Sequence, residues 1–263
     1  MQQWLKNKFP EWTKQQGNYD LCMSDDLDSL LSCLYLKSLF NYQIKWLYTF
    51  KDLYYIPQND KFEILCVDIA IERHKTWDNH VVKVDEHDKV NPESANINAI
   101  NGIHKGNYYS KYAGSTLLQI LSFNDIPLPE SEEGKLILLG IDSAYLGHYS
   151  KDFRAIHRRY MEQLELYDLI DLLDKYNDPS VFHDLNRKYK LKSKISVDEN
   201  GYLQTDIDLA ALQGFFDFRL SLPEEKFEHK HKFNQSGAWA STIRKPDVFS
   251  FALTSRNQFK YTK

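Results

Sequence analysis

Six consecutive residues, Ser24-Asp25-Asp26-Leu27-Asp28-Ser29, place three carboxylates within four positions. An apolar run (Tyr19, Leu21, Cys22, Met23) precedes them, and a helix-like pattern (Leu30, Leu31, Leu34, Tyr35) comes after. That context predicts a strand, a tight turn and a helix start, with the carboxylates at the C-terminal edge of the strand, where open α/β sheets bind ligands. Carboxylates this close repel one another, and a hard divalent cation such as Mg²⁺ or Mn²⁺ would offset the repulsion. The same residues also suit a helix N-terminus, where Asp caps backbone N–H groups and meets the positive end of the helix. The motif alone leaves both readings open.

The remaining chain repeats the pattern. Phe62-Glu63-Ile64-Leu65-Cys66-Val67-Asp68 reads as a buried parallel strand with Asp68 at its tip. Trp77-Asp78-Asn79-His80 comes ten residues on, and Lys135-Leu136-Ile137-Leu138-Leu139-Gly140-Ile141-Asp142 reads as a further strand ending in Asp. A lone Asp after a strand is most often a cap or turn former. Several such ends with a His nearby favour a metal site, because parallel strands bring their C-terminal ends to one edge. His87 and Asp88 offer a rival placement, for which a charged loop is the simpler explanation.

The order of these motifs resembles the DHH phosphoesterase superfamily, which includes RecJ-type exonucleases, oligoribonucleases, cyclic-dinucleotide phosphodiesterases and family II pyrophosphatases. Ser24-Asp25-Asp26-Leu27-Asp28-Ser29 resembles the family's first motif, Asp68 the lone strand-end Asp of the second, and Asp78-Asn79-His80 the D-H-H signature in a variant D-N-H form. Val90-Asn91-Pro92-Glu93-Ser94 and the helix opening at Ala113-Gly114-Ser115-Thr116 resemble the family's segments downstream of that signature. Gly140-Ile141-Asp142-Ser143 resembles the fourth motif, and the resemblance spans roughly residues 18–150. It implies a metal set of Asp26, Asp28, Asp68, Asn79 and Asp142 around one or two Mn²⁺ or Mg²⁺ ions, with Asp68 as the bridge. Asn79 stands where the family has a His, and its amide is a weaker donor to transition metals than imidazole. His80 and Asp78 would act at the reacting phosphate, and Arg256, beside Ser255, would clamp a more distant one. The expected reaction is hydrolysis of a phosphodiester in single-stranded nucleic acid, a short oligonucleotide or a cyclic dinucleotide. The alternative is a degenerate relative that binds a nucleotide without cleaving it, or serves as an interaction module.

Two parts are expected: residues 1–178, an α/β domain with a doubly wound, mostly parallel sheet, and residues 179–263, a smaller α+β domain that grips the substrate. Apolar spacing predicts one long helix over 153–175, broken by Asn177-Asp178-Pro179-Ser180. Lys194–Thr205 reads as a hairpin turning at Asn200-Gly201, and Val248–Thr254 as a closing strand. Within 226–263, eight Lys and Arg face two acids, a net +6 in a chain of formal net charge −4. Phe227, Phe233, Trp239, Phe249, Phe251, Phe259 and Tyr261 interleave with them. This mixture suits an unpaired nucleic-acid strand, but it suits better a terminal strand with core aromatics and solubilising lysines. With 42% hydrophobic residues and no apolar run near the roughly 18 residues that span a bilayer, a folded protein with no membrane partner is expected. Cys22, Cys33 and Cys66, embedded in apolar runs, read as reduced core thiols, and the N-terminus lacks a signal-peptide core. Together these point to the cytoplasm.

Overall fold

The structure, a computed structural model, describes residues 1–58, 62–240 and 248–263. The first part of the chain supplies β1 (Tyr19–Met23), β2 (Gln43–Tyr48), β3 (Asp52–Tyr55), β4 (Glu63–Val67), β5 (Lys75–Trp77) and β6 (Ser94–Ala95). The later part supplies β7 (Ile195–Val197), β8 (Leu203–Thr205), β9 (Glu228–Lys232), β10 (Gln235–Trp239), β11 (Ser250–Ser255) and β12 (Gln258–Thr262). A seven-stranded sheet runs in the order β6-β5-β4-β1-β2-β3-β9. Its first five strands are parallel, and β3 and β9 add antiparallel to one edge. Helices flank this sheet, and a smaller C-terminal part carries the antiparallel sheets, the α/β architecture expected from the sequence.

The order of strands fixes where a site can form. The chain leaves β1 toward β2 and β3, then returns to place β4, β5 and β6 on the other side of β1. The direction of winding therefore reverses between β1 and β4, and at such a point the loops after the strands part to leave a crevice. Asp26 and Asp28 come directly after β1, and Asp68 directly after β4.

The crossover from β1 to β2 is the helix Leu27–Phe40, capped by Asp26 and closed by Asn41 in the left-handed conformation (φ 60°). Every residue from Leu27 to Leu36 is buried. The helix lies between the sheet and the equally buried helix Thr116–Phe123, so it shows no polar face in that stretch.

Two sequence expectations are corrected. Lys135–Ile141 is not a strand: Glu132–Gly140 is a helix with Ser131 at its N-cap, and Asp142 lies in the tight turn after it. Residues Leu136–Gly140 are all buried, and an apolar run without periodicity suits a buried helix as well as a buried strand. The start signal is Ser131 ahead of Glu132 and Glu133. The predicted helix over 153–175 is two helices, Arg154–Gln163 and Tyr167–Lys175, separated at Glu165 (φ 56°). The Gln163 carbonyl accepts from the backbone N–H of Gln2, a partner from the far end of the sequence that no local pattern announces.

The hairpin β7–β8 forms as read, with Gly201 at φ 93° and the Phe227 carbonyl 2.7 Å from where a Cβ would stand. Phe182, Leu185, Tyr189, Ile207, Leu212 and Phe227 pack into the main core. The sheet β10-β12-β11 contributes to a hydrophobic cluster apart from that core. Phe251, Leu253 and Phe259 of that sheet pack on Val81, Ile103 and Tyr108. Its β11 donates Phe251 N–H to the Ala70 carbonyl (2.9 Å) and Leu253 N–H to the Val81 carbonyl (2.8 Å), so it sits over the loops after β4 and β5. The buried Tyr48 hydroxyl bonds Ser250 Oγ (2.8 Å) and Thr262 Oγ1 (2.6 Å), tying β2 to this sheet. The three cysteines are buried and free, and no helix of the described residues is long and apolar enough to cross a membrane.

Tyr48→Phe removes that tie while keeping the ring. Ser250 and Thr262 still bond each other at 2.8 Å, so the expected loss in chemical denaturation is about 1 kcal/mol, the low end for a buried hydrogen bond. A loss below about 0.3 kcal/mol would show that the small sheet does not depend on it.

Candidate metal centre

The turn after β1 is pinned to the end of β4 by one hydroxyl. Ser29 Oγ accepts from Ser24 N–H (2.7 Å) and donates to the Val67 carbonyl (2.7 Å). Asp68 then turns through the left-handed region (φ 59°), a conformation Asp tolerates better than most residues, and its N–H bonds the Trp77 carbonyl at 2.7 Å. Its carboxylate accepts from Thr116 Oγ1 (2.8 Å) and Ser24 Oγ (3.3 Å), and Ser24 Oγ also lies 3.4 Å from Asp26. The Asp28 and Asp68 carboxylates come close, whereas Asp26, a ligand in the sequence reading, belongs to neither donor group among the described residues.

Asp28 accepts from the backbone N–H groups of Thr116 (2.7 Å) and Leu117 (2.8 Å), one on each oxygen, at the N-terminus of Thr116–Phe123. The helix-cap reading holds for Asp26, which accepts from Ser29 N–H (3.2 Å), while Asp28 turns inward. Donor atoms of Asp28, Asp68 and Asp142 lie within 4.8 Å of one another, and so do those of Asp68, Asp78 and His80. Asp142, though reached from a helix and not a strand, joins the first group. Asp68 belongs to both.

Asp78 receives His80 Nδ1 at 2.6 Å and Asn96 Nδ2 at 2.8 Å, and Asn96 Nδ2 also reaches the His80 carbonyl at 2.8 Å. Asn79 is engaged differently. Its amide nitrogen donates to the Gly114 carbonyl, and its backbone carbonyl accepts from Asn98 Nδ2 at 2.6 Å, so it splices the loop after β5 to the start of Thr116–Phe123. Only its amide oxygen remains for an ion.

Burial, and then the neighbouring Asp68, raise the Asp28 carboxyl well above the usual range; burial, and then Asp26, do the same to Asp68. Among the described residues, neither forms a salt bridge with a lysine or arginine. Two cations stand at the rim. Burial opposes a charged His80 ring, but Asp78, with Asp68 and Asp142 behind it, pushes His80 up to about 10. Burial likewise opposes charge on Lys194, which Asp26 and Asp25 outweigh, and its Nζ pairs with Asp25 (2.8 Å) and Asp26 (3.2 Å).

Beside these groups opens a cleft of about 360 Å³ between the sheet edge and the small C-terminal sheet, lined by His80, Lys194, Lys260, Gln235, Phe50 and Phe251. Arg256 and Ser255 are not part of its lining. They lie at the turn joining β11 to β12, where the guanidinium stands 5.6 Å from the Tyr109 ring centre and Ser255 Oγ accepts from Asn257 N–H at 3.4 Å. Arg244, Lys245 and Asp247 of the basic segment lie outside the described residues. Phe227, Phe233, Phe251 and Phe259 are core, and Lys230 and Lys232 sit on the exposed edge strand β9, while Trp239 is 58% exposed. His87 is exposed, and Asp88 accepts from the N–H groups of Val84 (2.8 Å) and Asp85 (2.9 Å), a charged loop and no ligand set. Ser24 and Thr116, present in the sequence motifs without a role of their own, join the site, as do Asn96 and Lys194, which carried none. The helix opening at Ser115-Thr116 is a usable signal for Thr116, whereas nothing local marks Lys194.

The bonds distinguish two substitutions. Asp68 is held by hydroxyls, which can donate or accept, so Asp68→Asn keeps its partners and loses a buried charge whose raised pKa costs stability at neutral pH. Asp28 is held by two backbone N–H groups, so Asp28→Asn sets an amide NH₂ against one of them and costs about 1–3 kcal/mol. In chelator at pH 7, thermal unfolding is expected to rise for Asp68→Asn by about 2–4 °C and to fall for Asp28→Asn. Equal effects would contradict the bonding described. Asn79→Ala, which strips Gly114 of its donor, is expected to lose about 1–2 kcal/mol in denaturant titration; no change would remove the splice.

No family model matches the chain, and neither curated proteins nor solved structures give a match.

Proposed function

We propose that this chain is a metal-dependent phosphoesterase that hydrolyses phosphodiester bonds of single-stranded nucleic acid, short oligonucleotides or cyclic dinucleotides, in the manner of the DHH phosphoesterases its motifs resemble. The observation that carries the reading is the sharing of Asp68 between two donor groups, each within 4.8 Å, at the point where the sheet reverses its winding. Carboxylate oxygens with a single imidazole make a donor set for Mg²⁺ or Mn²⁺, the nitrogen favouring Mn²⁺. Asp28 and Asp142 would hold one ion, Asp78 and His80 a second, with Asp68 between. Such an ion supplies Lewis acidity, lowering the pKa of water and neutralising charge on phosphoryl oxygens.

The chain's own residues supply the rest. Asn96 and Gln119 fix the segment after β5: Asn96 Nδ2 bonds the Asp78 carboxylate, and Gln119 Nε2 donates to the Asp78 carbonyl at 3.2 Å. His80 is bonded to Asp78 through Nδ1 and faces the cleft, which leaves its other ring nitrogen for the ion. Lys194 and Lys260 line the same cleft and suit a polyanion, which supports a nucleotide substrate in a chain of net charge −4. Three free, buried thiols support a reducing compartment, and we place the activity in the cytoplasm.

The test is turnover over single-stranded DNA, a short RNA, a cyclic dinucleotide and inorganic pyrophosphate, each with Mn²⁺, Mg²⁺ or chelator. At least one phosphodiester is expected to be cleaved with metal and none with chelator. Asp68→Asn is expected to lower that rate by more than the roughly 10–100-fold typical of outer-shell changes at metal sites. Unchanged turnover in Asp68→Asn would end the mechanism, and tight nucleotide binding without product in any metal would mark a binding protein.

A further inference from the structure

A second concavity, apart from the cleft, has an aromatic character. A groove of about 420 Å³ is lined by Tyr109, Leu146 and Phe153, with Ile156 and the buried Tyr160 and Met161 also in its lining. Tyr109, Leu146 and Phe153 are 54%, 53% and 37% exposed, so three large apolar side chains ring one opening. Tyr109 and Phe153 stack with ring centres 5.6 Å apart and planes 27° apart. Two cations border it. The Arg256 guanidinium stands 5.6 Å from the Tyr109 ring centre, and Lys111 Nζ lies 3.1 Å from the Tyr108 hydroxyl.

Two chain segments join this groove to the carboxylates. Tyr112 and Ala113 line the groove, the next residue, Gly114, accepts from Asn79, and Thr116 holds Asp68. On the other side Leu146 and Gly147 line the groove four and five residues after Asp142. The volume falls in the range of small-molecule sites, roughly 300–1,000 Å³. A flat ring joined to an anion satisfies both the ring walls and the flanking cations.

We infer that the groove formed by Tyr109, Phe153 and Tyr160 binds a nucleobase of the substrate, making a nucleotide, not inorganic pyrophosphate, the ligand of this centre. The inference rests on the phosphoesterase reading for the role of the neighbouring carboxylates, but base binding is measurable without turnover. Stacking between a base and an aromatic side chain is worth about 1–3 kcal/mol, so loss of one ring is expected to cost about tenfold in affinity. Arg256 thereby gains a place near the base, away from the cleft, and its cation–π contact with Tyr109 keeps that ring oriented.

The experiment is calorimetric binding of adenosine 5′-monophosphate and of ribose 5-phosphate to the full chain in chelator, for wild type, Tyr109→Ala and Phe153→Ala. Both rings are exposed, and unchanged thermal unfolding would show that the variants fold. Wild type is expected to prefer the adenine-bearing ligand at least tenfold, and each variant to lose about tenfold for it while binding ribose 5-phosphate as before. Equal affinity for the two ligands, no binding of the nucleotide, or equal nucleotide affinity in wild type and variants would overturn the inference. So would self-association of wild type that the variants lose, which would assign the groove to a second copy. Base-dependent binding without hydrolysis in any metal would leave this inference standing and remove the phosphoesterase reading. Hydrolysis unaffected by the two variants would do the reverse.

Discussion

Asp28, Asp68 and Asp78 are 1%, 3% and 0% exposed, three carboxyl groups taken out of water on one edge of a parallel sheet. Charges removed from water without a partner cost several kcal/mol each, and a fold keeps them only where something meets that charge. Here fixed donors meet part of it: two N–H groups for Asp28, two hydroxyls for Asp68, an imidazole and an amide for Asp78. These bonds also hold the architecture together. They clamp the β1 turn, the end of β4, the loop after β5 and the N-terminus of Thr116–Phe123 to a single point.

The donors do not balance the charge. His80 pairs with the buried Asp78 and Lys194 with Asp25 and Asp26 at the rim, and Asp28 and Asp68 keep raised pKa values. Such an imbalance, concentrated where the sheet reverses its winding, fits the proposed pairing of a cation with an anionic ligand. The small C-terminal sheet closes over it through backbone bonds to Ala70 and Val81, which makes a cleft and not an open edge.

Much of this is legible in the chain because the relevant signals are local. β1 and β4 announce themselves as short apolar runs, and the acids at their ends inherit a common edge from the parallel pairing. The hairpin at Asn200-Gly201 arises from turn chemistry alone. Asp142 reaches the right company from an unexpected element: Leu136–Gly140 is buried all round, so its helical period leaves no trace in hydropathy. The bond from Gln2 to the Gln163 carbonyl beside the break, and the pairing of Lys194 with Asp25 and Asp26, join residues far apart in the chain. Such contacts are products of the fold. Arg256 stands out in the sequence for its charge and the chemistry of its side chain, and only the geometry reveals that its neighbour is a tyrosine ring outside the cleft.

The central claim is that the shared Asp68 lies between two cation positions. Anomalous diffraction from crystals grown with Mn²⁺ tests it most directly. The account predicts anomalous density among the carboxylates of Asp28, Asp68 and Asp142, among Asp68, Asp78 and His80, or at both. Mn²⁺ found only at other acidic residues, with the hydroxyls of Ser24 and Thr116 still bonding Asp68, would contradict it.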